Sequence, residues 1–185
     1  MLEQLTPPAA LAIPTATLGD HLHLNTAAPE LDETETLTRL IEAATAAIER
    51  QIQKALIMHT WRWSLQSWRA PLPLTPVAAI ESIEIIDGYG ESQTWDGWFL
   101  VHGPTPRIGT RKGQIRPSIP TDGHAQITFT AGYGTGWTDI PPDLRQAVTL
   151  LAAHYYEHRE AATETLAVLP FGVTSLIAPY RPIRI

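Results

Sequence analysis

The chain has no cysteine, so neither a disulfide nor a thiolate-bound metal is open to it. That argues against a small secreted scaffold and is compatible with a cytoplasmic or particle-borne protein. No apolar run approaches the length that spans a bilayer. The opening MLEQLTPPAALAIP lacks a basic region and a sufficient apolar stretch, so no secretory signal is expected. Positive charge is also scarce: 13 Lys and Arg stand against 19 Asp and Glu, a net charge of −6. Proteins that hold DNA by its phosphates are normally basic. The acidic balance makes DNA binding a poor default and suits a surface that lies near DNA without adhering to it.

What is present is enough for a core: 185 residues at 44% hydrophobic suit one domain, with room for an insertion. Two long helices stand out. The first is expected over 32–56, with acidic residues crowding its first turns where the helix dipole favours them. Leu37, Leu40, Ile41, Ala44, Ile48, Ile52 and Ala55 keep one face, with Arg39, Glu42, Glu49, Arg50 and Gln53 opposite. Its polar face is not dominated by Lys and Arg, so core packing is favoured over a membrane surface.

The second long helix, expected over 141–160, is opened by Pro141 and Pro142, which a first helical turn tolerates. Leu144, Ala147, Val148, Leu151 and Tyr155 form its apolar stripe, while Arg145, Gln146, Thr149, Glu157 and Glu160 lie away from it. Leu150 and Tyr156 fall on two further sides. A helix apolar on several sides needs several neighbours. One is expected to be the first long helix, and a second copy of the chain is the other, which makes Leu150 and Tyr156 subunit-interface candidates.

The remaining segments are shorter. Residues 1–14 read as an N-terminal arm, and 15–24 as a short helix with Thr15 or Thr17 as N-cap and Leu18 and Leu22 buried. Residues 25–31 read as a loop. The middle, 57–131, reads as a β-rich insertion. Trp61, Trp63 and Leu65 alternate with Arg62, Ser64 and Gln66, which predicts a strand over 58–68. Pro71, Pro73 and Pro76 impose an extended connection. Further strands are expected over 79–87, over 92–101 with an irregularity at Asp96-Gly97, over 114–116, and over 126–131. Residues 107–113 read as an exposed loop. Gly132, Gly134 and Gly136 then free the chain to turn into the second long helix. A loop over 161–169, a short helix over 173–178 stopped by Pro179, and a tail over 179–185 complete the chain. The fold class is α+β, mainly helical, as a single domain over 1–185.

Three features bear on chemistry. His154-Tyr155-Tyr156-Glu157-His158 matches H-x-x-E-H, in which two imidazoles one turn apart bind zinc beside a carboxylate base. A third ligand is wanting: the sole carboxylate after Glu160 is Glu164, and His158 projects near the apolar stripe, where a hydrogen-bonded structural histidine is the common case. Most of the six tryptophans fall in the β-rich middle. They would serve a sugar- or base-stacking platform, but the alternation already assigns Trp61 and Trp63 to a sheet face, and with Trp68 they read as cover for a thin core. The glycines at 132, 134 and 136 are not a phosphate loop, since no G-x-x-x-x-G-K-[ST] is present. No Ser–His–Asp arrangement stands out. No enzyme activity, cofactor or metal is therefore expected.

The order of motifs resembles a known family. LTPPA opens the chain, QIQKALIMHTWRWSLQSW ends the first long helix, and ITFTAGYG precedes PPDLRQAVTLLAAHYYEHREA and LPFGVTSLIAPYR. These five, in sequence over nearly the whole chain, resemble the head–tail connector (adaptor) proteins of long-tailed bacteriophages and gene transfer agents. The resemblance implies a structural protein of the virion neck, assembled in the bacterial cytoplasm. It implies a homo-oligomeric ring, typically of twelve subunits, beneath the capsid portal protein, with a tail-side stopper or neck protein attached below. DNA would pass through the channel without specific binding, and no membrane is involved. It also implies that the C-terminal segment docks to the portal. Tyr180, Arg181, Arg184 and Ile185 are then docking candidates, with Pro170, Phe171, Gly172 and Pro179 shaping the approach.

Overall fold

A computed structural model describes residues 1–24, 31–158 and 169–182. It divides into two compact units. One comprises Met1–Pro8 and Met58–Tyr133 and is built on strands; the other comprises Ala9–Ile57 and Gly134–Ile185 and is built on helices. The α+β class stands. Helix is the larger share at 35% against 26% strand, but the chain is not mainly helical, because its middle commits more backbone to strands than its polar, glycine-punctuated stretches suggest.

The strand unit holds a five-stranded antiparallel sheet of order β1-β2-β7-β3-β4. Its strands are β1 (Leu2–Gln4), β2 (His59–Leu65), β3 (Val77–Ile86), β4 (Ser92–Thr94) and β7 (His124–Ala131). The central strand, β7, alternates because one face is buried: Ala125, Ile127, Phe129 and Ala131 are enclosed, and Gln126, Thr128 and Thr130 are half-buried. Register carries that face across the sheet. Trp63 and Ile83 both lie opposite Ile127, and Trp61 and Ile80 both lie opposite Phe129. A slip of one residue would turn all of these side chains to the other face, so the hydrophobic pattern fixes the pairing.

The N-terminal arm is extended, and it is tied into the sheet as β1 along the edge of β2. The Met1 ammonium donates to the Ser64 carbonyl at 2.7 Å, Leu5 N–H donates to the Thr60 carbonyl at 2.9 Å, and Arg62 pairs with Glu3 at 3.6 Å. Backbone groups on an open edge seek partners, and this segment supplies them.

The stretch expected as one strand over 92–101 breaks at Asp96-Gly97, and its two halves take different partners. Ser92–Thr94 pairs with β3, while β5 (Trp98–Val101) pairs with β6 (Arg107–Thr110) as a separate hairpin. Residues 107–110 are therefore a strand and not the expected loop, and no strand forms at 114–116. The physical reason is at Gly109: the ring of Phe99 lies where a Cβ on residue 109 would sit, so a glycine that looks like a breaker is a seat for an aromatic ring.

The helical unit holds α1 (Thr15–His21), α2 (Leu31–Ile52), α3 (Pro142–Glu157) and α4 (Phe171–Ile177). The α2 stripe is as the periodicity predicts. Leu37, Ile41, Ala44, Ile48 and Ile52 are buried and Leu40 half-buried. The helix ends at Ile52, short of the expected residue 56, where Gln53 turns the chain at φ 54°, and Ala55 is buried beyond that end. Each fully buried Leu or Ile contributes about 1.5–3 kcal/mol relative to exposure. In α1, Leu18 is buried and Leu22 half-buried, but Pro14 and not a threonine occupies the N-cap position, with no side-chain cap. Its fixed φ already suits the entry to a helix.

Helix α3 packs on α2 as expected, and also on α4 and α1, so part of its need for several neighbours is met within the chain. Leu144, Ala147, Val148 and Leu151 are buried, and Tyr155 is half-buried. Thr149, expected away from the stripe, is buried too; its hydroxyl donates to the Arg145 carbonyl at 3.0 Å, which satisfies it inside its own helix. Of the expected loops at 25–31 and 161–169, residues 25–30 and 161–168 lie outside the described residues, as does Glu160, and Leu31 opens α2.

The glycine run between β7 and α3 works by close approach. Gly132 has φ 143° and donates its N–H to the Pro76 carbonyl at 2.9 Å. A Cβ on Gly134 would collide with the Asp139 side chain, whose carboxylate accepts the Gly136 N–H at 3.0 Å. Gly134→Ala is expected to displace Asp139 and lose that bond, at about 1–3 kcal/mol. Urea denaturation checks this: an unchanged midpoint would show that the turn yields without cost.

Candidate functional site

The described part of the C-terminal segment is built on α4. Pro170 sets its entry, with the Thr174 N–H donating to the Pro170 carbonyl at 3.0 Å. Val173 and Ile177, one turn apart, are fully buried and hold α4 against α3. The opposite side is bare. Phe171 is 88% exposed, and Gly172, Ser175 and Pro179 are exposed. A 3-10 turn, Ala178–Tyr180, follows and ends at Arg181, whose side chain is in solvent. The Tyr180 hydroxyl donates to the Asp143 carboxylate at 3.5 Å, linking the segment to the first turn of α3. Burial, and then the charge of Asp143, push the Tyr180 phenol above its ordinary value. The sequence suggested for Asp143 only a dipole role; its second use as the acceptor for Tyr180 spans 37 residues and has no local signature.

Of the expected docking set, Pro170, Phe171, Gly172, Pro179, Tyr180 and Arg181 are thus brought together in one short segment. Arg184 and Ile185 lie outside the described residues. Of the interface candidates, Leu150 is half-buried, with its Cδ1 3.8 Å from where a Cβ on Gly172 would lie, so α4 covers part of it. Tyr156 is half-buried on α3.

The H-x-x-E-H match folds as a helix end. His158 caps α3, and its Nδ1–H donates to the His154 carbonyl at 2.9 Å. A carbonyl only accepts, so Nδ1 must carry the proton. The two imidazoles lie 4.2 Å apart, and no group of three His, Asp or Glu fit to hold a metal occurs among the described residues. Glu164, the one later carboxylate, lies outside them. The tryptophans do not form an open platform either. Trp63 and Trp95 are buried, Trp68 meets Trp95 edge-on at 5.5 Å, and the Trp68 Nε1–H donates to the Pro117 carbonyl at 2.8 Å. Trp137 is partly exposed, but Arg145 lies over its ring at 5.0 Å. Among the described residues no helix is long and apolar enough to cross a membrane.

Comparison with known proteins places the chain in a family. Residues 114–181 match the family described as phage gp6-like head-tail connector protein. No curated protein sequence matches the chain. Three solved structures contain similar chains. In the neck of an empty gene transfer agent particle computed with C6 symmetry, the similar chain is 40% identical, with a TM-score of 0.85. In the virion of a native gene transfer agent particle the values are 38% and 0.84, and in the neck of a native particle computed with C12 symmetry 38% and 0.80. Each alignment covers 100% of this chain and 97% of the other. With that identity over its full length, this chain belongs to the head–tail connector family of phages and gene transfer agents, structural proteins of the virion neck and not enzymes.

Proposed function

We propose that the protein is a head–tail adaptor acting as a single connector domain over 1–185. Copies of it form a ring of twelve beneath the capsid portal of a phage or gene transfer agent particle. The observation that carries this reading is the full-length likeness to chains found in particle necks, one of them computed with C12 symmetry. The ring extends the DNA channel and offers a platform to a tail-side stopper or neck protein. Assembly takes place in the bacterial cytoplasm, and no membrane or cofactor takes part.

The physics of the chain suits the task. A ring needs rigid protomers and a heterologous contact that closes on rotation. Leu150 and Tyr156, each partly uncovered on α3, are offered as part of that subunit contact. Phe171, Tyr180 and Arg181, with Arg184 and Ile185, are offered as the portal-docking residues. A Phe exposed at 88% gains about 1.5–3 kcal/mol when a partner covers it. A net charge of −6 favours sliding of DNA over adhesion.

Imaging of whole particles that carry a tagged chain tests the reading. A twelvefold ring of tag density at the neck is expected; tag density elsewhere, or none in mature particles, would sink it.

A further inference from the structure

The strand unit contains a cavity of about 350 Å³ whose lining includes three arginines, Arg69, Arg107 and Arg116, with Leu65, Trp68 and Ile108 among its apolar residues. No carboxylate lines it, although the chain carries 19 of them. Among the described residues none of the three arginines has an acidic partner. Like charges held together repel one another, and the repulsion is relieved when an anion enters between them.

Arg116 is held in place. Its Nε–H donates to Thr110 Oγ1 at 3.2 Å, one terminal nitrogen donates to the Ile108 carbonyl at 2.7 Å, and its guanidinium lies 5.7 Å from the Trp68 ring. Trp68 is itself fixed through the Pro117 carbonyl. Arg69 and Arg107 are exposed. A guanidinium held in place, with two exposed arginines beside it, suits a carboxylate, which arginine engages by paired N–H donors. The field extends past the cavity: residues 107–116 carry Arg107, Arg111, Lys112 and Arg116 and no acid. Ile115, 87% exposed, adds apolar surface on the same stretch of chain, and the half-exposed ring of Phe99 lies against Gly109 within it.

We infer that this cavity is a docking site for an acidic peptide segment of a neighbouring protein, with a Glu or Asp side chain inserted among Arg69, Arg107 and Arg116. Duplex DNA fits less well. The chain as a whole is acidic and repels a rod that carries one charge per ~1.7 Å. Leu65, Ile108 and Trp68 in the cavity lining match the methylene stem of a glutamate better than a phosphodiester.

The test uses purified full-length protein and a fluorescein-labelled hexaglutamate peptide in buffer of about 20 mM ionic strength, where screening is weak. Fluorescence polarisation is expected to report binding that weakens roughly tenfold or more in Arg69→Glu/Arg107→Glu. The same loss is expected in Arg69→Ala/Arg107→Ala. Arg39→Glu/Arg50→Glu, with the same change in net charge on α2, should bind as the parent does. Three outcomes overturn the inference: no peptide binding, equal loss in the α2 variant, or tighter binding of a 20-base-pair duplex that the Arg69/Arg107 variants abolish. The assay contains no capsid, so its failure leaves the ring reading untouched, and failure of the ring leaves this site untouched.

Discussion

Deletion of residues 181–185 is expected to leave a folded, soluble protein that no longer joins capsids. The deletion removes no described core residue. Val173 and Ile177, which anchor α4, precede it, and Arg181 is in solvent with only an N–H bond to the Ala178 carbonyl at 3.3 Å. Its cost in stability should therefore stay within about 0.5 kcal/mol, as for surface changes generally. Its cost in assembly should be all or nothing if the segment is the portal contact. Phe171→Ser is the companion: the ring is exposed, so folding should be unchanged, while the apolar gain on docking is lost. Particles made in cells that lack the parent gene but express either variant give the readout. The deletion should yield filled heads without necks, and Phe171→Ser fewer necked particles than the parent. Necked particles at parental frequency with the deleted chain would remove the C-terminal segment from the docking contact.

What the sequence made legible follows the strength of local pattern. Helix α2 keeps one face over six turns, and its buried residues are the predicted ones. Strands β2 and β7 alternate because one of their faces is buried, and that too is visible in sequence. The failures have the opposite cause. β1, read only as an arm, is three residues, too short for a period to register. β6 was obscured by Gly109 and by Arg107, whose roles depend on Phe99 and on a cavity assembled from three separate stretches. Thr149 looks polar in sequence and is buried because its hydroxyl is spent on its own helix. The C-terminal segment is proposed for docking through family likeness, and nothing in its spacing announces that Phe171 faces outward while Val173 and Ile177 face in. A site made for contact has no motif of its own; its signature is an apolar residue left uncovered, which only the fold reveals.

Glu49→Gln is expected to stabilise the protein at pH 8 and to do so far less near pH 5. Glu49 lies in the last turn of α2, where the chain reverses through Gln53 at φ 54° and the Lys54 N–H reaches back to the Glu49 carbonyl at 3.4 Å. The Glu49 side chain turns with it, and its Oε1 accepts the Leu56 N–H at 2.7 Å. Burial pushes this carboxyl up from 4.5 to about 7, and the Leu56 N–H opposes the rise only in part. Between those two values the folded state holds a proton that the unfolded state has released. Stability must then fall as pH rises through that window, and above 7 the fold carries the full cost of a charged, desolvated carboxylate. A shift of that size corresponds to at most about 3 kcal/mol. Glutamine keeps the carbonyl that accepts the Leu56 N–H and cannot ionise, so it retains the bond and sheds the charge. Glu49→Ala separates the two contributions: it leaves the Leu56 N–H without its acceptor and should be less stable than Glu49→Gln at both pH values, by about 1–3 kcal/mol. Urea unfolding at pH 5 and pH 8 decides the matter. A parent curve that loses stability across this range beside a flat glutamine curve is the expected result, and parallel curves would show that Glu49 is already ionised in the fold.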